Sequence, residues 1–108
     1  MVDTEGRPEI DLHRLTAAVA VSAVECWLVS LAIGDALGLG RRLSNNLVII
    51  TGRGSHSEDR AARLRNVTLR LLNHQLQPAR RASVDESNAG RVIVHIADFE
   101  AWVRASIL

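Results

Sequence analysis

The sequence predicts an α/β domain: a small sheet of about four strands with helices packed on it, in the order β-α-β-α-β-β. Two observations predict this class. Residues 47–50 form an uninterrupted apolar run, which is typical of a strand covered on both faces in a parallel sheet. Residues 17–31 and 64–71 repeat apolar side chains at helical spacing. With 108 residues, the chain is long enough for one domain with its own core.

The first half of the chain predicts a strand, a helix and a second strand. Residues 9–13 alternate, with Ile10 and Leu12 on one face and polar side chains on the other. Thr16 is a suitable N-cap for the following helix, which the glycines at 34, 38 and 40 should end. The apolar run 17–33 is shorter than the ~20 residues that span a bilayer. We therefore expect a buried helix here, and no membrane partner.

The second half predicts a helix, a hairpin and a last short helix. Ser57 is positioned to cap a helix that ends near Pro78. Its predicted buried side is Leu64, Val67 and Leu71, and its predicted exposed side is Arg63, Asn66, Arg70 and Asn73. Residues 79–84 and 91–96 predict two strands joined through the turn-like sequence "DESNAG". Asp98 is the predicted cap of a final helix that runs through Trp102.

Charge is distributed unevenly along the chain, although the net charge is only +1. Residues 41–81 contain two acids, Glu58 and Asp59, and most of the arginines of the chain: Arg41, Arg42, Arg53, Arg60, Arg63, Arg65, Arg70, Arg80 and Arg81. Such a block predicts a basic face that suits phosphate, or else a solvated surface. Cys26 is the only cysteine, which excludes an internal disulfide and a cysteine-based zinc site and fits a reducing compartment.

The stretch "IITGRGSHSEDR" places a glycine-rich loop between the second strand and the second helix. Backbone N–H groups in such a loop, together with a helix N-terminus, form a binding site for an anion. A P-loop is excluded because no Gly-Lys-Ser/Thr follows, and Ser57 stands where a dinucleotide fingerprint needs its third glycine. Turns of this kind also occur for conformational reasons alone.

Asp11 and His13 end the first predicted strand. The carboxyl ends of parallel strands meet at one edge of a sheet, so these side chains should lie beside the loop that begins at Thr51. An imidazole can gain and lose a proton near neutral pH, and a neighbouring carboxylate can orient it. The alternative is that both residues only cap or hydrogen-bond the end of the strand.

The two motifs "IDLH" (residues 10–13) and "TGRG" (residues 51–54), followed by His56 and Ser57, resemble the signatures of the small MutS-related (Smr) domain family. The resemblance implies a fold similar to the C-terminal domain of translation initiation factor 3, and nucleic-acid binding with endonuclease activity. It implies a catalytic set of Asp11, His13 and Arg65, with His13 for proton transfer and Arg65 for charge stabilisation. It implies nucleic-acid contacts from Thr51, Gly52, Arg53, Gly54, His56 and Arg63.

RNA is the favoured substrate, with DNA as the alternative. Two-metal nucleases need several clustered carboxylates, whereas this site offers Asp11 and at most Glu9. We therefore expect no required cofactor and a metal-free route through the ribose 2′-hydroxyl. A single Mg²⁺ at Asp11 is the alternative, and it would permit DNA cleavage. His74 and His95 share no ligand spacing with His13 or His56, which argues against zinc.

Two other function classes stay open: a nucleic-acid-binding module without turnover, and a protein-interaction domain. The segment "NAGRVIVHIADFEAWVR" is similar to the tail of Smr domains fused to pentatricopeptide repeats, which implies a chloroplast or mitochondrial protein with further domains and a last strand near Ser106. We expect a monomer whose domain covers residues 9–108. Residues 1–8 should be a disordered or vector-derived segment, and no targeting segment is visible.

Overall fold

A computed structural model of the chain describes residues 8–37, 46–52, 58–75 and 82–106. The strands are β1 (Glu9–Asp11), β2 (Leu47–Ile50), β3 (Ala82–Asp85) and β4 (Asn88–Val94). The helices are α1 (Ala17–Leu37), α2 (Glu58–Arg70) and α3 (Ile96–Ser106), and a π-helical turn, Leu71–Gln75, continues α2. The predicted α/β class and the predicted β-α-β-α-β-β order are confirmed, with α3 after the last strand.

The strands form one mixed sheet in the order β1-β2-β4-β3. β1 and β2 are parallel, and Asp11 pairs with Ile50. The Leu12 amide also donates to the Ile50 carbonyl at 2.8 Å, and the Val48 amide donates to the Pro8 carbonyl at 2.9 Å. β4 runs antiparallel to both β2 and β3. The predicted hairpin is therefore confirmed, and the carboxyl ends of β1 and β2 lie side by side as predicted.

All three helices share one apolar cluster with one face of the sheet. From α1 this cluster takes Ala20, Val24, Leu28 and Ala32; from the sheet it takes Leu12, Leu47, Ile49, Val92 and Val94; from the other helices it includes Leu64, Leu72 and Phe99. Val48 and Ile50 are also buried, yet they lie outside the cluster. Neighbouring residues of a strand point to opposite faces, so β2 is covered on both sides, as its apolar run predicts.

Helix α1 is longer and more exposed than predicted. The Thr16 hydroxyl accepts a hydrogen bond from the Val19 amide at 3.3 Å, which confirms the predicted N-cap. The helix continues through Gly34 and has 21 residues. By length and composition the stretch Ala17–Gly34 could cross a membrane, and only 22% of it is buried. The expectation of a buried helix is therefore wrong for its outer side, where Val19, Val29 and Ile33 are exposed.

Several predicted boundaries shift for identifiable reasons. β1 stops at Asp11 because His13 lies in the turn that leads to α1. β3 ends at Asp85 and β4 begins at Asn88, so only Glu86 and Ser87 of the turn-like "DESNAG" make the turn. Ile96 begins α3, and Asp98 lies inside its first turn. The cap of α3 comes from a distant residue, because the Ile96 amide donates to the Asn46 side-chain oxygen at 2.9 Å.

The spacing of Asn73 predicts that it lies on the exposed side of α2, but the structure places it against the edge strand β3. Its side-chain amide donates to the Ala82 carbonyl at 3.1 Å, and its side-chain oxygen accepts from the Ala82 amide at 2.8 Å. These two bonds tie the π-helical turn to the edge strand β3. The predicted Ser57 cap, the helix end near Pro78 and the first residues of the third predicted strand lie outside the described residues, as does the chain after Ser106.

Candidate nucleic-acid site

Asp11 and His13 form a hydrogen-bonded pair at the end of β1. The Asp11 Oδ1 atom accepts from the His13 Nδ1 atom at 2.7 Å and from the His13 backbone amide at 3.1 Å. Both side chains remain accessible, with 33% of Asp11 and 28% of His13 exposed. The carboxylate thus fixes the orientation of the ring and assigns a proton to Nδ1. The other ring nitrogen, Nε2, is the one that can exchange a proton with a ligand.

Arg14 forms a hydrogen bond with the second ring nitrogen of His13, Nε2. Its Nε–H group donates to the His13 Nε2 atom at 3.2 Å. Since Nε2 accepts this bond, the pattern describes a neutral imidazole with its proton on Nδ1. Sequence reasoning missed Arg14, although its position directly after His13 is a signal for a neighbouring charge. Arg14 is exposed, so a ligand can displace its guanidinium from the ring.

The backbone after β2 is engaged by β4. The Thr51 amide donates to the Gly90 carbonyl at 2.7 Å, and the Gly52 amide donates to the same oxygen at 3.2 Å. These two amides therefore pair with the sheet. Thr51 itself is fully buried, and its hydroxyl oxygen has no hydrogen-bond partner in the part of the chain that the structure describes. The nucleic-acid contacts predicted for Thr51 and Gly52 stay predictions, and they need donors other than these two amides.

Gly52 and Gly90 permit a close approach of three elements. A methyl group added at Gly52 would lie 2.6 Å from the Ala61 Cβ atom of α2, and one added at Gly90 would collide with the Gly52 carbonyl oxygen. Glycine is required here because the backbones of the β2 end, β4 and α2 nearly touch. This contact places the first turns of α2 beside the carboxyl end of β2. It gives Gly52 a structural role besides any contact with a ligand.

Of the arginines predicted to contact nucleic acid or catalyse, two are described. Arg65 on α2 is half-buried, and its Nη1 atom donates to the Ala89 carbonyl of β4 at 3.1 Å. Arg63 lies on the same helix and is exposed. Arg53, Gly54 and His56 lie outside the described residues. A guanidinium has five N–H donors, so the bond to Ala89 can orient Arg65 while other donors contact a phosphate.

A second polar pair lies on the sheet face opposite the helices. The Arg91 Nη2 atom is 3.5 Å from the Glu9 Oε1 atom, with 25% of the Arg91 side chain and 20% of the Glu9 side chain exposed. Glu9 lies two residues before Asp11 and points to the same face. Within the described ranges no group of three or more His, Cys, Asp or Glu side chains could hold a metal ion.

Comparisons with known proteins agree with this architecture. The chain is 35% identical over 88 residues to an Smr domain-containing protein of Schizosaccharomyces pombe; the match covers 82% of the chain and 37% of the yeast protein. The chain thus spans little more than a third of that relative. The solution structure of the SMR domain of NEDD4-binding protein 2 superposes with a TM-score of 0.60 at 25% identity, covering 89% of this chain and 92% of that one. No family model matches.

The fold and the site define a small α/β domain that carries an acid–imidazole pair at one end of a mixed sheet, where β2 leads into Thr51 and Gly52. Together with the yeast relative and the structural likeness, this places the chain in the Smr domain family. Membership of that family implies a nucleic-acid-binding module.

Proposed function

We propose that this Smr domain is an endoribonuclease that cleaves RNA without a required metal ion. The observation that supports this most is the 2.7 Å bond between His13 Nδ1 and Asp11 Oδ1 at the accessible end of β1. An acid that holds Nδ1 directs the basic Nε2 nitrogen outward, which is the arrangement that a general base needs. Asp11 of this pair lies beside Ile50, the residue that precedes Thr51 and Gly52.

The reaction begins when RNA displaces Arg14 from the His13 ring. Nε2 then removes the proton of the ribose 2′-hydroxyl, and that oxygen attacks the adjacent phosphorus. The bond from phosphorus to the 5′-oxygen breaks, and the leaving oxygen takes a proton from solvent. The protonated His13 then returns its proton to solvent, which restores the base. The products are a 2′,3′-cyclic phosphate and a 5′-hydroxyl end, and no oxidant or reductant is involved.

The arginines supply the charge stabilisation that this reaction needs. Negative charge grows on the phosphate oxygens as the bond forms, and fixed cations beside it lower the barrier. Arg65 is the described candidate because the Ala89 carbonyl holds its guanidinium in place. Arg53 is predicted to assist it, and Arg63 with His56 and Gly54 to bind the flanking chain. A Mg²⁺ ion held by Asp11 is the alternative source of charge stabilisation.

The experiment compares wild type with Asp11→Ala on labelled RNA and on DNA of the same sequence, each with and without EDTA, followed by end-group analysis. Glu25→Gln serves as the matched control, since Glu25 is an exposed acid on α1. We expect RNA cleavage to cyclic phosphate ends that persists in EDTA and falls about 10²-fold or more in Asp11→Ala. Cleavage abolished by EDTA would favour the Mg²⁺ route, and equal background cleavage by all three proteins would reject an enzyme.

A nucleic-acid-binding module without turnover is the second candidate. Two hydrogen bonds favour it: His13 Nε2 accepts one from Arg14, and Arg65 donates one to the Ala89 carbonyl, so both groups already have partners within the domain. Such a module would position attached domains on RNA. The resemblance of residues 88–104 to Smr domains fused to pentatricopeptide repeats in organelles supports that arrangement as a proposal. Binding without product ends in the experiment above would also support it.

A further inference from the structure

The geometry points to a phosphate-binding surface on the open face of the sheet, with Arg91 as the residue that binds the phosphate and Glu9 as its competitor. We define this surface, the β1–β4 face, by Glu9, Asp11, Ile50 and Arg91. The inference rests on the proposed function, because its ligand is the phosphate backbone of the same RNA. In the sequence Arg91 only begins a predicted strand and belongs to the segment that is similar to pentatricopeptide-repeat fusions, and neither observation gives it a ligand.

The strand register places Arg91 next to the acid–imidazole pair. Asp11 pairs with Ile50 on β2, and Ile50 pairs in turn with Arg91 on β4. Paired residues of adjacent strands point to the same face, so Asp11 and Arg91 flank Ile50 on the side away from the helices. Two strand spacings separate their backbones, which is about 10 Å. A phosphate at Arg91 would therefore set where the RNA passes His13.

A phosphate can replace Glu9 as the partner of Arg91. The 3.5 Å separation of the Glu9 and Arg91 side chains is longer than the ~2.8 Å of a strong charge-assisted hydrogen bond. Both side chains are partly exposed, so solvent screens part of the attraction between them. A guanidinium can bind a phosphate with two short parallel bonds, whereas the contact between Arg91 Nη2 and Glu9 Oε1 is 3.5 Å long.

The two side chains also extend across β2. Glu9 belongs to β1 and Arg91 to β4, and these strands lie on opposite sides of β2. Their contact therefore passes over Val48 and Ile50, which are buried without belonging to the helix-packed core. Movement of Arg91 to a phosphate would replace Glu9 by the ligand without disturbing that core. Glu9 thereby lowers the affinity of the surface in the absence of RNA.

The test measures binding of single-stranded RNA over a range of salt concentrations for wild type, Arg91→Gln, Arg91→Lys, Glu9→Gln and the double variant Glu9→Gln/Arg91→Gln. Arg104→Gln is the matched control, because Arg104 is exposed in the last turn of α3. We expect Arg91→Gln to weaken binding about tenfold and to reduce the slope of log K against log salt by about 0.7, the value of one phosphate contact. Arg91→Lys should keep most of the slope and lose part of the affinity, which also covers the case in which Arg91→Gln fails to fold.

Glu9→Gln should tighten binding several-fold, and this gain should shrink in the double variant. Wild-type affinity in a folded Arg91→Gln variant would overturn the inference. So would an equal gain from Glu9→Gln with and without Arg91, because such a gain is an effect of net charge alone. If wild type shows no salt-dependent RNA binding, the proposed function itself fails. That outcome is distinct from failure of the Arg91 assignment, which leaves wild-type binding intact.

Discussion

The two faces of the sheet bury β2 equally well but with different neighbours. Ile49 is 0% exposed and belongs to the cluster shared with all three helices. Ile50 is 4% exposed, yet it lies outside that cluster, between Asp11 and Arg91 on the adjacent strands. Burial alone therefore does not distinguish the two faces. Their neighbours do, because Ile49 packs in the apolar cluster and Ile50 lies between charged residues of the adjacent strands.

The difference between the two faces arises because successive side chains of a strand point to opposite faces of the sheet. Ile10, Leu12, Val92 and Val94 face the helices, and Glu9, Asp11 and Arg91 face away, so one face carries apolar side chains and the other carries every charged residue of β1 and β4. A one-residue change of register would exchange the two sets and bury three charges under the helices. The core thus fixes the register, and the register in turn places the charges of the candidate site.

The largest effect should come from truncation on the helix side. Ile49→Ala removes packed atoms from the core and should lower the free energy of unfolding by about 2–5 kcal/mol. Ile50→Ala is the matched control and should cost at least about 1 kcal/mol less, because flexible polar side chains can close over the gap. Urea denaturation of both variants measures the difference. Equal costs, or a greater cost at Ile50, would contradict the assignment of the two faces.

Two glycine-to-alanine substitutions should change stability in opposite directions, one at the end of β2 and the other inside α1. Gly52→Ala drives a methyl group into Ala61 and should destabilise the fold by about 1–3 kcal/mol. Gly34→Ala meets nothing within 4 Å and lies inside α1, so it should stabilise the fold by about 0.5–1 kcal/mol. Thermal unfolding of the pair should show shifts of opposite sign. A neutral Gly52→Ala would show that the close approach to Ala61 is not required.

The smallest effect on stability should come from the open face. Glu9→Gln breaks only a long, partly exposed ion pair and should change the free energy of unfolding by less than about 1 kcal/mol. Val48→Ala on the same face provides a comparison from an apolar position. A Glu9→Gln variant that loses several kcal/mol would mean that the pair is part of the structural framework and would argue against its exchange with a phosphate.

Local sequence signals predicted the elements better than the contacts between them. The run at residues 47–50 and the cap at Thr16 predicted β2 and the start of α1, because both signals depend on neighbours in the sequence. The use of Asn73 as a partner for Ala82 and of Asn46 as a cap for α3 depends on residues 9 and 50 positions away. No periodicity within one helix carries that information.

The candidate site shows the same division. Alternation and parallel pairing were enough to predict that Asp11 lies beside Ile50 at the end of β2. The sequence did not predict that the Gly90 carbonyl accepts hydrogen bonds from the amides of Thr51 and Gly52. The sequence "DESNAG" is typical of a turn, whereas its last three residues belong to β4. The contact of Arg14 with His13 depends on a side-chain rotamer, and the place of Arg91 depends on the order of four strands.

The measurement that tests the central claim most directly is the single-turnover rate of RNA cleavage by His13→Ala, compared with wild type and with His74→Ala, an exposed histidine on the π-helical turn. Each protein is used at saturating concentration, so that a change in binding does not alter the rate. If His13 Nε2 is the general base, His13→Ala should lose about 10²-fold or more while His74→Ala keeps the wild-type rate. A His13→Ala protein within a few-fold of wild type would contradict the proposed mechanism.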